Sequence, residues 1–156
     1  MNSQLHSVQW HQAGFSELTL NVLYEILKLR QEVFVVEQNA AYLDNDGLDY
    51  KAYHFWASLP HSLEVIAYCR LIPAGLKYPE ISLGRVVVAP RFRRQQLAQN
   101  LVSKALFFQA QVLKNTANRI SAQTYLIDWY TTWGFKIVSE QYLEDGLPHV
   151  EMLKEF

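Results

Sequence analysis

Positions Leu20, Leu23, Tyr24, Leu27, Gln31 and Phe34 recur at spacings of three and four, which predicts an amphipathic helix over roughly Leu18–Phe34. The pattern then changes. Glu37–Asp49 is polar and acidic and holds Asn45-Asp46-Gly47, the composition of a loop. Tyr53–Leu59 and Leu63–Ile72 are apolar, strand-like runs around Pro60-His61-Ser62, which predicts a hairpin. Pro73–Pro79 reads as a turn region and Ile81–Val88 as the next strand, rich in β-branched residues. About Gln95–Lys114 returns to helical spacing, Ile120–Gln123 is a short strand, and Tyr125–Trp133 a short helix. Gly134 suits the left-handed residue that closes such a helix. Val8–Trp10 at the start makes a short strand, and Phe135–Val138 and Val150–Leu153 make a closing pair. Glu144–Pro148 falls in the connection between that pair. The order is strand, helix, three strands, helix, strand, helix, two strands. It predicts an α/β fold, a mixed sheet with helices packed on its faces.

Length and composition narrow the class. The 156 residues suit one domain spanning 1–156, and with half of them hydrophobic the chain can bury a full core. A net charge of −1 argues against a nucleic-acid coat or a membrane-surface role. The single cysteine, Cys69, has no internal disulfide partner, fits a reducing cytoplasm, and reads as a small buried hydrophobe. Met1–Trp10 lacks the basic start and apolar block of a signal peptide, and no run reaches the ~20 apolar residues of a membrane span. No metal is expected. His6, His11 and His61 have no ligand spacing, and a calcium loop centred on Gly47 would begin and end on Tyr42 and Tyr53.

The richest chemistry lies where the strand Gly84-Arg85-Val86-Val87-Val88-Ala89 meets Pro90 and the basic turn Arg91-Phe92-Arg93-Arg94-Gln95-Gln96. Pro90 cannot donate to a ladder, so the strand ends there. The helix that begins near Leu97-Ala98 then presents free N–H groups with arginines around them, the usual arrangement for a phosphate or pyrophosphate. A second segment, Tyr130-Thr131-Thr132-Trp133-Gly134-Phe135, puts a tyrosine one helical turn before a closing glycine.

Together these segments resemble the GCN5-related N-acetyltransferase (GNAT) family. That family carries Gln/Arg-x-x-Gly-x-Gly/Ala at the turn, here Arg93 to Ala98, and often Tyr-x-x-x-Gly-Phe, here Tyr130, Gly134 and Phe135. The resemblance is closer still to the ElaA-like branch. It extends through Leu29–Gln38, Tyr42, Asp46, Asp49, His54, Gly84-Arg85-Val86, Ala122-Gln123 and Tyr142–Met152, nearly the whole chain. It implies a GNAT-like acyl-CoA N-acyltransferase fold, acetyl-CoA as acyl donor, and an unidentified primary amine of a small molecule or peptide as acceptor. It implies cofactor contacts from Val86, Val87 and Val88 on the strand and from Arg93, Arg94, Gln95, Gln96, Leu97 and Ala98 at the turn. Tyr130 takes the general-acid role by the same resemblance. One residue departs from the pattern: Gln96 stands where the family has the glycine that lets a pyrophosphate approach.

Residue chemistry leaves the base open among Glu37, His54, His149 and Glu151. Glu37 follows a helix directly and resembles the family position near the acceptor. His54 lies in an apolar strand, where a satisfied core histidine is the alternative. Asp44, Asp46 and Asp49 suit a solvated turn, or a surface that attracts a cationic amine. The competing function is a non-catalytic GNAT-fold binding module that has weakened or lost cofactor binding through Gln96. Nucleic-acid binding through Arg91, Arg93 and Arg94 is disfavoured by the overall charge. An exposed last strand near Val150 could pair with a second copy as a homodimer.

Overall fold

In the computed structural model, which describes residues 7–114 and 117–156, four strands pair antiparallel in chain order: β1 (Gln9–Gly14), β2 (Tyr53–Ser58), β3 (Val65–Ile72) and β4 (Ser82–Val88). His6 and most of the stretch read for a leader lie outside the described residues. Alternation along these strands sets the layers. Trp56, Tyr68 and Val87 face helix α1 (Leu20–Arg30), while Phe55, Ala57, Cys69 and Leu71 face helix α2 (Leu97–Gln111). Cys69 is fully buried there, and burial pushes its thiol pKa up.

α1 exists as expected, but its buried face differs from the one read from spacing. Ile26, Leu29, Arg30 and Val33 are buried, while Leu20 is 85% and Tyr24 71% exposed. The inner stripe includes an arginine, which a hydrophobic pattern counts as outside. Beyond Arg30 the helix widens into a π-helix, Gln31–Glu37, a rare form that turns the chain into the acidic loop.

The second sheet holds β5 (Ala117–Gln123), β6 (Lys136–Ile137), β7 (Tyr142–Glu144) and β8 (Leu147–Glu155), with the short helix α3 (Ile127–Thr131) between β5 and β6. Gly134 has a φ of 88° and closes the α3 turn as expected. Two expectations are corrected here. Glu144–Pro148 is no open connection: β7 and β8 form a hairpin across Asp145 (φ 50°) and Gly146 (φ 78°), left-handed residues that match a two-residue primed turn. And β8 is no free edge. It pairs with β5 on one side and with β6 and β7 on the other, so Val150, 5% exposed, has no open ladder for a second copy.

The sheets meet at β4 and β5, which run parallel and touch at one end. Ile81 bridges Asn118, Arg119 N–H donates to Ile81 O at 2.8 Å, and Asn118 Oδ1 accepts from Leu83 N–H at 3.1 Å. Asn118 in turn donates to Gln109 Oε1 at 2.6 Å, both side chains being fully buried. Past this lock no ladder joins the two strands. Parted strands with unshared edges form a cleft.

Candidate active site

That cleft is a cavity of about 1060 Å³, lined on one side by Leu83–Val88 and the turn after β4, and on the other by Ser121, Ala122 and Gln123 of β5. Its size is at the upper end for a small-molecule site, roomy enough for two ligands.

Within β4 the register against β3 slips: Val87 opposes Tyr68 but Gly84 opposes Arg70, so Cys69 alone faces Arg85 and Val86. This is a β-bulge, with Arg85 left-handed at φ 54°. A bulge leaves an extra residue unpaired in the ladder beside the cavity. Gly84 was the signal available for it, since glycine inside a strand often marks a bulge.

β4 ends at Ala89, and Pro90–Phe92 form a 3₁₀ turn. Gln96 is the N-cap of α2 and is left-handed, with φ 60° and ψ 16°. Asn100 N–H is the first to close the helical ladder, on Gln96 O at 3.0 Å. The N–H groups of Leu97, Ala98 and Gln99 therefore have no helical acceptor. Val86, Val87, Val88, Arg93, Arg94, Gln96, Leu97 and Ala98 all line the cavity; Gln95 does not, and its Oε1 is buried elsewhere without a partner. The arginines divide. Arg91 pairs with Glu64, Arg93 donates to Glu37 at 2.8 and 3.0 Å, and Arg94 lines the cavity with no ion pair among the described residues. They do not form the continuous basic patch that nucleic-acid binding would need.

Tyr130 forms part of the cavity wall, 7% exposed, its ring edge-on to Trp129 and Phe135. Burial pushes its phenol pKa well up. Glu37 also lines the cavity, at the end of the π-helix, but its carboxylate is bound to Arg93. Gln38 beside it accepts from Gln123 across the cleft at 3.4 Å.

His54 is corrected. It is 1% exposed and does not line the cavity. Its Nε2–H donates to Asp49 O at 2.9 Å, so Nδ1 accepts from Tyr68 O–H at 2.7 Å. Burial lowers its pKa, keeping it neutral. Both nitrogens are committed, as in the core-histidine alternative.

The acidic loop is corrected too. Its tip is at the surface, but Asp44 and Asp49 are buried and all three carboxylates are already bound by arginines, so none is free to attract a cation. Arg30, itself fully buried, donates to Asp44 at 2.8 Å and to Asp49 at 2.7 Å. Arg70 donates to Asp49 at 2.7 Å and to both oxygens of Asp46, and Arg85 Nε lies 2.7 Å from Asp44. Tyr42 O–H adds a bond to Asp44 at 2.9 Å. Three arginines neutralise three aspartates and pin the loop over the sheet.

Residues 30–156 match the family profile described as Acetyltransferase (GNAT) domain. Protein ElaA of Escherichia coli is 34% identical over 95% of this chain and 97% of its own. The chain belongs to the GNAT acetyltransferase family, in its ElaA-like branch. Solved structures agree. An acyl-CoA N-acyltransferase from Pseudomonas aeruginosa superposes with a TM-score of 0.88 at 37% identity, covering 95% of this chain and 99% of that one. The E. coli ElaA crystal structure gives 0.87 at 35%, with the same coverage.

For a GNAT domain, Gln96 is the residue out of pattern, yet the backbone there adopts the left-handed state that a glycine takes easily. The turn is built without its glycine, at a local cost of about 1–2 kcal/mol.

A further group at the cavity was only partly anticipated. Ser121, Glu144 and His149 line it, and Tyr142 backs them. Of these only His149 is a candidate from residue chemistry. Glu151, weighed beside it, accepts from Arg119 at 3.0 Å and is no cavity residue. Glu144 was hidden by reading its hairpin as a connection; the Asp145-Gly146 dipeptide was the signal that could have revealed it.

Proposed function

We propose that this GNAT domain is an acetyl-CoA-dependent N-acetyltransferase that moves the acetyl group directly to a primary amine of a small molecule or peptide. One observation carries the reading: β4 and β5 part beside a turn whose N–H groups at Leu97, Ala98 and Gln99 lack helical acceptors. Those N–H groups and the Arg94 guanidinium receive the pyrophosphate. The pantetheine arm lies along Val86–Val88 as an added strand. A backbone N–H left over by the bulge polarises the thioester carbonyl. Arg93, now held by Glu37, turns toward the phosphates when they arrive. Holding both substrates in reacting geometry supplies up to ~7–11 kcal/mol of the barrier.

In the transfer, the amine nitrogen forms a bond to the acetyl carbon and the carbon–sulfur bond breaks. The departing thiolate takes the phenolic proton of Tyr130, and the proton that the amine nitrogen sheds on becoming an amide passes through solvent to restore the phenol. Burial keeps the phenol protonated at neutral pH, so the proton is in place, although the same burial makes it a weaker donor. The binding-module alternative rests on Gln96, and the left-handed turn that Gln96 maintains weighs against it.

Thiol release from acetyl-CoA, measured with a panel of primary amines, tests the reading. Tyr130→Phe is expected to lower kcat by about 10²–10⁴-fold with acetyl-CoA affinity unchanged. Wild-type protein that binds acetyl-CoA but releases no thiol with any amine would favour the binding module.

A further inference from the structure

One corner of the cavity holds hydrogen-bond acceptors that face each other with no donor between them. Leu147 O can only accept, so His149 Nδ1 carries the proton in its 2.8 Å bond to that carbonyl. In a neutral ring this leaves the Nε2 lone pair directed at Glu144 Oε2, 3.4 Å away. Glu144 Oε2 also accepts from Ser121 O–H at 2.8 Å, and Tyr142 O–H therefore donates to Ser121 Oγ at 2.5 Å. The Tyr142 and Ser121 hydroxyls are spent in a chain that ends on Glu144, and His149 Nδ1–H is spent on Leu147 O. The Tyr142 ring stacks on His149 and fixes its plane, with ring centroids 6.1 Å apart. The His149 side chain is 10% exposed and that of Glu144 42%, and both line the cavity. Two acceptors at this spacing are satisfied either by an extra proton on the ring or by an incoming N–H donor.

We infer that Glu144 and His149 form the seat of the acceptor's ammonium group and that His149 is the base that deprotonates it. The chemical role rests on the transferase reading above. The ammonium donates to Glu144 Oε2 and His149 Nε2; its proton passes to Nε2; the freed lone pair then attacks the acetyl carbon. The proton leaves His149 for solvent after transfer. Across the cavity stand Phe34, Tyr42, Leu43 and Leu48, so the amine is carried on an apolar body. Other charged or titratable groups surround this corner. Lys77, before β4, and Asp145, in the hairpin, line the cavity, while Tyr142 on β7 and, acting on it, Tyr78 and Glu151 lie outside the lining. Lys77 makes no ion pair to Glu144 among the described residues, so the seat remains open to a ligand.

The test is ¹⁵N NMR of the histidine rings in the whole protein, with 2-phenylethylamine as probe and 3-phenylpropionate as a control of opposite charge. We expect neutral His149 to carry its proton on Nδ1. The amine should shift its Nε2 resonance in a saturable way, while the exposed His61 stays unmoved. Glu144→Gln should weaken that response about tenfold or more. The inference is overturned if the amine leaves Nε2 unmoved, if phenylpropionate moves it equally, or if Glu144→Gln responds like wild type. Calorimetry with acetyl-CoA on the same sample separates the two readings. An amine response without cofactor binding keeps the seat and removes the transferase.

Discussion

Two clusters of acidic groups lie near the same cavity and differ in one respect. In the Asp44–Asp46–Asp49 cluster every carboxylate meets an arginine, and the group nets to neutrality under the loop. In the Ser121–Glu144–His149 cluster a carboxylate and an imidazole nitrogen face each other at 3.4 Å, with the Ser121 and Tyr142 hydroxyls and His149 Nδ1 already committed. The first is closed to ligands; in the second, two facing acceptors are satisfied by a proton on the ring or by an incoming N–H donor. Acidic composition makes the first cluster conspicuous, but it is the second to which the amine seat is assigned by inference.

Substitutions should separate the two. Arg30→Ala leaves Asp44 to Arg85 and Asp49 to Arg70 alone, two carboxylates short of one buried positive charge, and is expected to cost about 3–5 kcal/mol in denaturant unfolding. His149→Gln removes the hydrogen bond to Leu147 O and the stacked contact with Tyr142, is expected to cost about 1–2 kcal/mol, and should weaken 2-phenylethylamine binding read by calorimetry. Equal costs would erase the distinction between the clusters.

Acid should act on the closed cluster through a smaller effect. Burial by itself would raise the Asp46 carboxyl, but the hydrogen bond and charge of Arg70, with Leu48 N–H and Arg85, outweigh it and hold the pKa at about 2, against 3.8 ordinarily. Its folded pKa lies below its unfolded one. The stability it contributes is therefore complete above about 4 and lost as pH falls toward about 2. His54, lowered by burial from 6.5, acts earlier. The unfolded chain binds its proton first, so stability starts to fall as pH drops below about 6.5. Melting temperature against pH should show both stages. A profile flat from about pH 7 to 4 would contradict the buried neutral His54.

The legibility of the sequence divides along similar lines. Element order as far as β6, the Pro90 stop, the Gly134 closure and the strand–turn–helix beside the cavity are readable, because each depends on local chemistry: a missing N–H, a left-handed residue, a β-branched run. What escaped depends on partners distant in the chain. Arg30 turned the buried face of α1 inward because Asp44 and Asp49 await it there, and no spacing rule credits a buried arginine. His54 looked available until Tyr68 and Asp49 took its two nitrogens. β7 is three residues long and becomes a strand only through β8. Gln96 was read as bulk in a glycine's place, whereas the backbone around it imposes the glycine's conformation.

The central claim is that the turn after β4 grips a diphosphate with Gln96 in that conformation. Calorimetric titration of wild type and Gln96→Gly with acetyl-CoA tests it most directly. Binding of one cofactor per chain is expected, with the two affinities within about threefold, a difference under 1 kcal/mol. The claim is contradicted if wild type gives neither heat nor a thermal shift at millimolar acetyl-CoA, or if only the glycine variant binds.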